Sequence, residues 1–132
     1  MYYLDTNTCI FFLNGKHPSI RSKLLSTSPR EIAIPSLVKA ELILGANKSK
    51  QKEPNVEKVE KFLEPFEIIP FENEMSYVYA EIRAYIEKRG VAIGPNDLII
   101  AAIAKYKNAI LVTNKVKEFK RIKGLLIEDW VQ

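Results

Sequence analysis

Histidine and cysteine are nearly absent from this 132-residue chain, which has one of each, His17 and Cys9. A single cysteine excludes an internal disulfide and any cysteine-rich metal site, and the usual role of such a residue is that of a small buried hydrophobe. A single histidine, in the Gly15-Lys16-His17-Pro18 turn, excludes paired-histidine ribonuclease chemistry within one chain. Glycine-rich phosphate cradles are missing too. The 5 glycines form neither a Gly-x-x-x-x-Gly-Lys nor a Gly-x-Gly-x-x-Gly motif, and no Gly-x-Ser-x-Gly elbow is present to carry a serine triad. No apolar run approaches the ~18 residues of a membrane span. Met1 leads into apolar residues with no basic n-region or cleavage site, so we expect no signal peptide, no membrane association and a cytoplasmic location.

What is present is ordinary for a globular protein: 47% hydrophobic and 27% charged residues, enough for one core. No repeat or linker divides the chain, so we expect a single domain spanning residues 1–132. The net charge of +4 and pI near 9.1 permit a polyanionic partner. The excess is concentrated in two clusters, Lys48, Lys50 and Lys52, and Lys115, Lys117, Lys120, Arg121 and Lys123. Lys48, Lys50, Lys115 and Lys117 are therefore candidate phosphate contacts, although lysine-rich loops also serve solubility alone.

The chain opens on Tyr2-Tyr3-Leu4, a short strand that stops at the carboxylate of Asp5. Cys9 to Leu13 suits a short helix ended by Asn14-Gly15, and His17 to Ser26 a second. Ile32-Ala33-Ile34 is a buried strand bounded by Pro35, with Ser36 placed to cap a helix that carries Glu41. Lys48 to Pro54 reads as a polar connector, followed by a helix with Val56, Val59, Phe62 and Leu63 on one stripe. Glu67-Ile68-Ile69 is a third strand, and Glu72 to Arg89 a long helix ended by Gly90. Gly94-Pro95-Asn96 opens an almost wholly apolar helix, Asp97 to Tyr106. Ala109 to Val112 is a fourth strand and Leu125 to Ile127 a fifth. Strands separated by helices predict a three-layer α/β fold, a parallel sheet of four to five short strands with helices on both faces.

In such sheets ligands bind beyond the carboxyl ends of the strands, which is where Asp5 falls. Asp5 or Asn7 fits equally well as a helix cap. Glu41 lies among Leu37, Val38, Leu42 and Ile43, a setting in which a carboxylate needs a partner or a metal, unless it marks the exposed edge of an amphipathic helix. Asp97 heads a helix too apolar for the surface, although an acid in a first turn is also favoured by the helix dipole. Three carboxylates gathered at one sheet edge would repel unless a cation lay between them, and oxygen ligands suit Mg²⁺ or Mn²⁺. Asn114, just after the fourth strand, adds a neutral oxygen, and Thr6, Asn7, Thr113 and Glu118 are outer-shell candidates.

Taken together, Leu4-Asp5-Thr6-Asn7, Glu41 through Gly45-Ala46, Ile93 through Asp97 to Ala102, Leu111-Val112-Thr113-Asn114, and Lys117-Glu118-Phe119 through Gly124 to Trp130 resemble the PIN-domain ribonucleases. More narrowly, they resemble the VapC toxins of toxin–antitoxin modules. The likeness runs in order over nearly the whole chain. It implies a PIN-like fold and a Mg²⁺-dependent endoribonuclease, with Mn²⁺ as a substitute, in which Asp5, Glu41 and Asp97 occupy the family's acidic positions. The fourth acid of many PIN domains falls on Asn114, as in the VapC subgroup thought to cut initiator tRNA. That subgroup commonly has Asn where this chain has Lys115 and His where it has Ile103, which bears on the RNA target. The resemblance further implies a VapB-like antitoxin that holds the toxin inactive. A homodimer is expected, with Phe11, Phe12 and Leu13 as candidate surface.

Two other readings compete. Asp5-Thr6-Asn7-Thr8 superficially resembles the Asp-x-Asp-x-Thr motif of haloacid-dehalogenase-like phosphatases, with Asn7 in place of the general acid. A non-catalytic domain that binds RNA or a partner is the other.

Overall fold

The computed structural model describes residues 1–131. Among them, five short strands, β1 (Tyr2–Leu4), β2 (Ile32–Pro35), β3 (Glu67–Ile69), β4 (Ile110–Val112) and β5 (Leu126–Glu128), form one sheet in the order β3-β2-β1-β4-β5. Every pairing is parallel. Successive residues of a strand face opposite sides of its sheet. All four residues of β2 are buried, so both faces are covered by helices, which is why the inner strands read as unbroken apolar runs.

The helices are α1 (Thr6–Leu13), α2 (Pro18–Ser26), α3 (Ser36–Lys48), α4 (Lys52–Leu63), α5 (Met75–Lys88), α6 (Pro95–Tyr106) and α7 (Val116–Phe119). α3 packs along α4 and α5 along α6. α6 is the most enclosed, with Leu98 and Ile100 through Ala104 all buried, as its apolar composition requires. The aromatic side chains of the first helix mostly turn inward. Phe12 lies 5.3 Å from Phe62, and Phe11 packs edge-on against His17 at 4.7 Å.

Two boundaries differ from expectation in ways that matter for the site. The polar connector shrinks to Ser49–Gln51, because α3 runs through Lys48 and α4 begins at Lys52. Pro54 is accommodated in the first turn of α4, where its missing N–H has no intrahelical partner to lose. Further on, α6 begins at Pro95 with Gly94 as its cap. Asn96 is thus inside the first turn, and its side chain is free for another use.

Candidate active site

The chain steps outward from β1 to β2 to β3, then returns to the other side of β1 to lay down β4 and β5. The strand order therefore reverses between β1 and β4, and a crevice opens there beyond the strand ends. Leu4 pairs with Val112, and the Asp5 amide continues the ladder by donating to the Val112 carbonyl at 3.1 Å. Thr113 likewise donates to the Glu128 carbonyl at 2.9 Å. Asp5 and Thr113 consequently stand beside each other at the mouth of the crevice.

Asp5 stands at the carboxyl end of β1 and also caps the helix that follows. Its carboxylate accepts the Thr8 amide at 2.9 Å and caps α1, satisfying one of the free N–H groups of the first turn. It is also only 2% exposed, an unusual burial for a charge. Burial pushes its pKa up, hydrogen bonding from Thr113 and Thr8 pulls it partly back, and the nearby charge of Asp97 adds a further upward push. Thr8 is tied in as well, its hydroxyl donating to the Val112 carbonyl at 3.2 Å.

Glu41 is half-buried on α3 and held at both oxygens. The Thr6 hydroxyl donates to Oε1 and the Asn96 amide donates to Oε2 at 3.2 Å. These two bonds join α1, α3 and α6 across the crevice. Beside Glu41 runs an open groove of about 290 Å³, lined mainly by apolar residues such as Ile10, Leu13, Leu42 and Val59.

Asp97, in the first turn of α6, is paired with Lys115, whose ammonium donates to Oδ2 at 2.9 Å. Lys115, a candidate phosphate contact in the sequence, thus has its positive charge paired within the acidic crevice. Burial lowers the Lys115 pKa, but the bond to Asp97 and the charges of Asp97, Asp5 and Glu118 outweigh it and leave it raised. Asn114 is exposed at the crevice rim, Glu118 is exposed on α7, Thr113 is fully buried, and Asn7 is half-buried on α1. Lys48, Lys50 and Lys117 are exposed. Two lie at the end of α3 and in the turn after it, and the third on α7.

The donor chemistry suits a hard divalent cation, since Asp5, Asp97, Glu41 and Asn114 offer oxygen only. Asp5 is made harder to ionise chiefly by burial and to a smaller extent by the charge of Asp97, and Lys115 brings a positive charge to Asp97. Glu41 stands apart from the other two acids, bound to Thr6 and Asn96. Among the described residues no three His, Cys, Asp or Glu side chains are gathered closely enough to hold a metal ion.

Three members of the site were not read from the sequence in these roles. Thr8 had a visible signal, since it lies three residues after a capping Asp. Asn96 is legible in the sequence only as part of the turn that opens α6. Lys115 carried no local signal, because its pairing with Asp97 depends on where β4 ends relative to α6.

The PIN domain family model matches residues 2–125. Ribonuclease VapC2 of Rickettsia felis is 48% identical over 132 residues, covering 98% of each chain, and the tRNA(fMet)-specific endonuclease VapC of Salmonella typhimurium is 39% identical over 130 residues, covering 98% of this chain and 97% of the other. Among solved structures, VapBC2 from Rickettsia felis bound to a DNA fragment from their promoter superposes with a TM-score of 0.92 at 45% identity, again covering 98% of each chain. With the five-stranded parallel order, the acids at its switch point and likeness along its whole length, the chain belongs to the PIN-domain family and, within it, to the VapC ribonucleases.

Proposed function

We propose that the chain is the endoribonuclease toxin of a toxin–antitoxin pair, hydrolysing RNA with Mg²⁺ held by Asp5 and Asp97 and with initiator tRNA as the favoured substrate. The observation that carries the reading is that both acids reach the carboxyl-end edge of the paired strands β1 and β4: Asp5 directly follows β1, and Asp97 is tied through Lys115 to Thr113, directly after β4. When bound, the cation activates water and neutralises charge developing on the scissile phosphate, with Mn²⁺ able to replace Mg²⁺.

The chain's own residues do the rest. Glu41, fixed at both oxygens by Thr6 and Asn96, serves as the base that takes the water proton rather than as the third metal ligand its sequence position suggested, because the three acids are not gathered around one point. Asn114 offers a neutral oxygen at the exposed rim to orient that water. Lys48, Lys50 and Lys117 hold the RNA backbone, and unpaired loop bases provide the recognition, as is general for sequence-specific RNA binding. The named substrate of the Salmonella relative supports tRNA as the target.

A VapB-like antitoxin is the natural partner, since the related solved structures are VapBC complexes. The apolar groove beside Glu41 suits an inserted apolar segment. An antitoxin Arg at the acids would take over the role of the cation. The phosphatase reading fits poorly, because Asn7 stands where its general acid would be and the full-length likeness is to VapC ribonucleases.

The test is to incubate the purified chain with bulk tRNA and with ribosomal RNA in Mg²⁺ and to map the new ends. We expect cuts in the anticodon region of initiator tRNA. Cuts confined to ribosomal RNA would reject the tRNA target, and intact RNA throughout would reject the nuclease reading. Expression in cells should arrest growth, and co-expression of the partner should relieve it.

A further inference from the structure

We propose that Lys115 is a tethered counter-cation of the acidic crevice, holding Asp97 when no divalent ion is bound and competing with that ion for the carboxylate. The inference rests on the reading of Asp5 and Asp97 as the metal-holding pair.

The geometry separates this contact from a chance surface pairing. The ammonium lies 2.9 Å from Asp97 Oδ2, and the Asp97 side chain is only 19% exposed. The root of the lysine is fixed as well: its backbone N–H donates to the Thr113 hydroxyl at 2.9 Å, and Thr113 is fully buried at the end of β4. From that anchor the ammonium reaches Asp97, and the charges of Asp5 and Glu118 add more weakly to its hold on the proton. It is thus a positive charge already seated on one of the two carboxylates read as metal ligands.

A hard divalent ion binds a carboxylate oxygen at ~2.1 Å. An ammonium retained on the same carboxylate would then stand within a few ångströms of the ion, and two positive charges that close repel strongly in a partly buried site. Metal entry must therefore either displace Lys115 or bear that repulsion. In both cases the lysine raises the divalent concentration at which the site fills, and this sets a threshold for activity without any change in the acids themselves.

The experiment is a Mn²⁺ titration by calorimetry on the full chain and on Lys115→Met, which keeps the aliphatic stem, and Lys115→Arg, which keeps the charge. Melting temperatures are recorded in parallel, in EDTA and in Mn²⁺. We expect Lys115→Met to bind Mn²⁺ roughly fivefold more tightly, the scale of a favourable partly exposed ion pair. It should also melt lower in EDTA and gain more than the unmodified chain on adding Mn²⁺. Lys115→Arg should stay near the unmodified affinity. If Lys115→Met binds Mn²⁺ as the unmodified chain does, or more weakly, the inference is overturned while the metal site stands. If neither binds Mn²⁺, the metal-site reading falls and the inference falls with it.

Discussion

The side-chain amide of Asn96 donates to Glu41 Oε2 at 3.2 Å, across 55 residues of sequence. The first turn of α6 therefore supplies both an acid, Asp97, and the group that orients another acid on α3.

This pairing predicts the effect of Asn96→Ala. If Glu41 acts on the reacting water, freeing one of its oxygens should lower kcat by one to two orders of magnitude, the scale of a misplaced catalytic group. KM and melting temperature should move little, since Asn96 is exposed. Thr6→Val should act similarly through Oε1. Steady-state kinetics on a tRNA substrate reads the split, and an unchanged kcat in both variants would remove Glu41 from the chemistry.

Asp5 gives a pH prediction for the metal-free protein. Burial raises its pKa in the folded state above the ordinary value of an aspartate carboxyl. The native state thus holds the proton more tightly than the unfolded chain. Stability from this group is complete below the unfolded value and is lost as pH rises through the raised native one. Asp5→Asn, which keeps the cap, should therefore melt higher than the unmodified chain in EDTA at pH 7, by about 4 °C for ~1 kcal/mol in a domain of this size. The gain should shrink as pH falls toward 4. Equal melting at both pH values would show that the charge is better compensated than the burial implies.

The exposed lysines are tested by salt dependence. In an Asp5→Asn background, expected not to cut, Lys48→Glu, Lys50→Glu and Lys117→Glu should each flatten the log-log slope of RNA binding by ~0.7 if each contacts one phosphate of a single strand. Lys115 is left intact in this series because its charge belongs to the crevice. Filter binding across a salt series measures it, and unchanged slopes would assign these lysines to the solvated surface.

The expected homodimer is tested by light scattering. Phe12 and Phe11 are partly spent on Phe62 and His17, so they are weaker candidates for its surface than their composition suggested. Leu44 and Tyr77, at 56% and 74% exposure, are large hydrophobics left in solvent. A dimer mass at micromolar concentration is expected, and a monomer at high micromolar concentration would remove the dimer.

The architecture was legible because buried parallel strands are continuous apolar runs, and Asp5, Glu41 and Asp97 interrupt apolar context abruptly. Helix limits were less so. Lys48 to Pro54 looks like a loop by polarity, yet polarity does not break a helix and Pro54 is tolerated in a first turn. Least legible were the partners. Asn96 meeting Glu41 depends on how α6 packs against α3, and Lys115 meeting Asp97 on where β4 ends relative to α6, and no local pattern encodes either.

The central claim is that Asp5 and Asp97 hold the divalent ion on which RNA cleavage depends. It is tested most directly by tRNA cleavage across a Mg²⁺ titration, with EDTA as the zero point, comparing the unmodified chain with Asp97→Asn. We predict cleavage that rises with Mg²⁺, disappears in EDTA and is lost in Asp97→Asn at every concentration. Undiminished cleavage in EDTA, or full activity in Asp97→Asn, would contradict it.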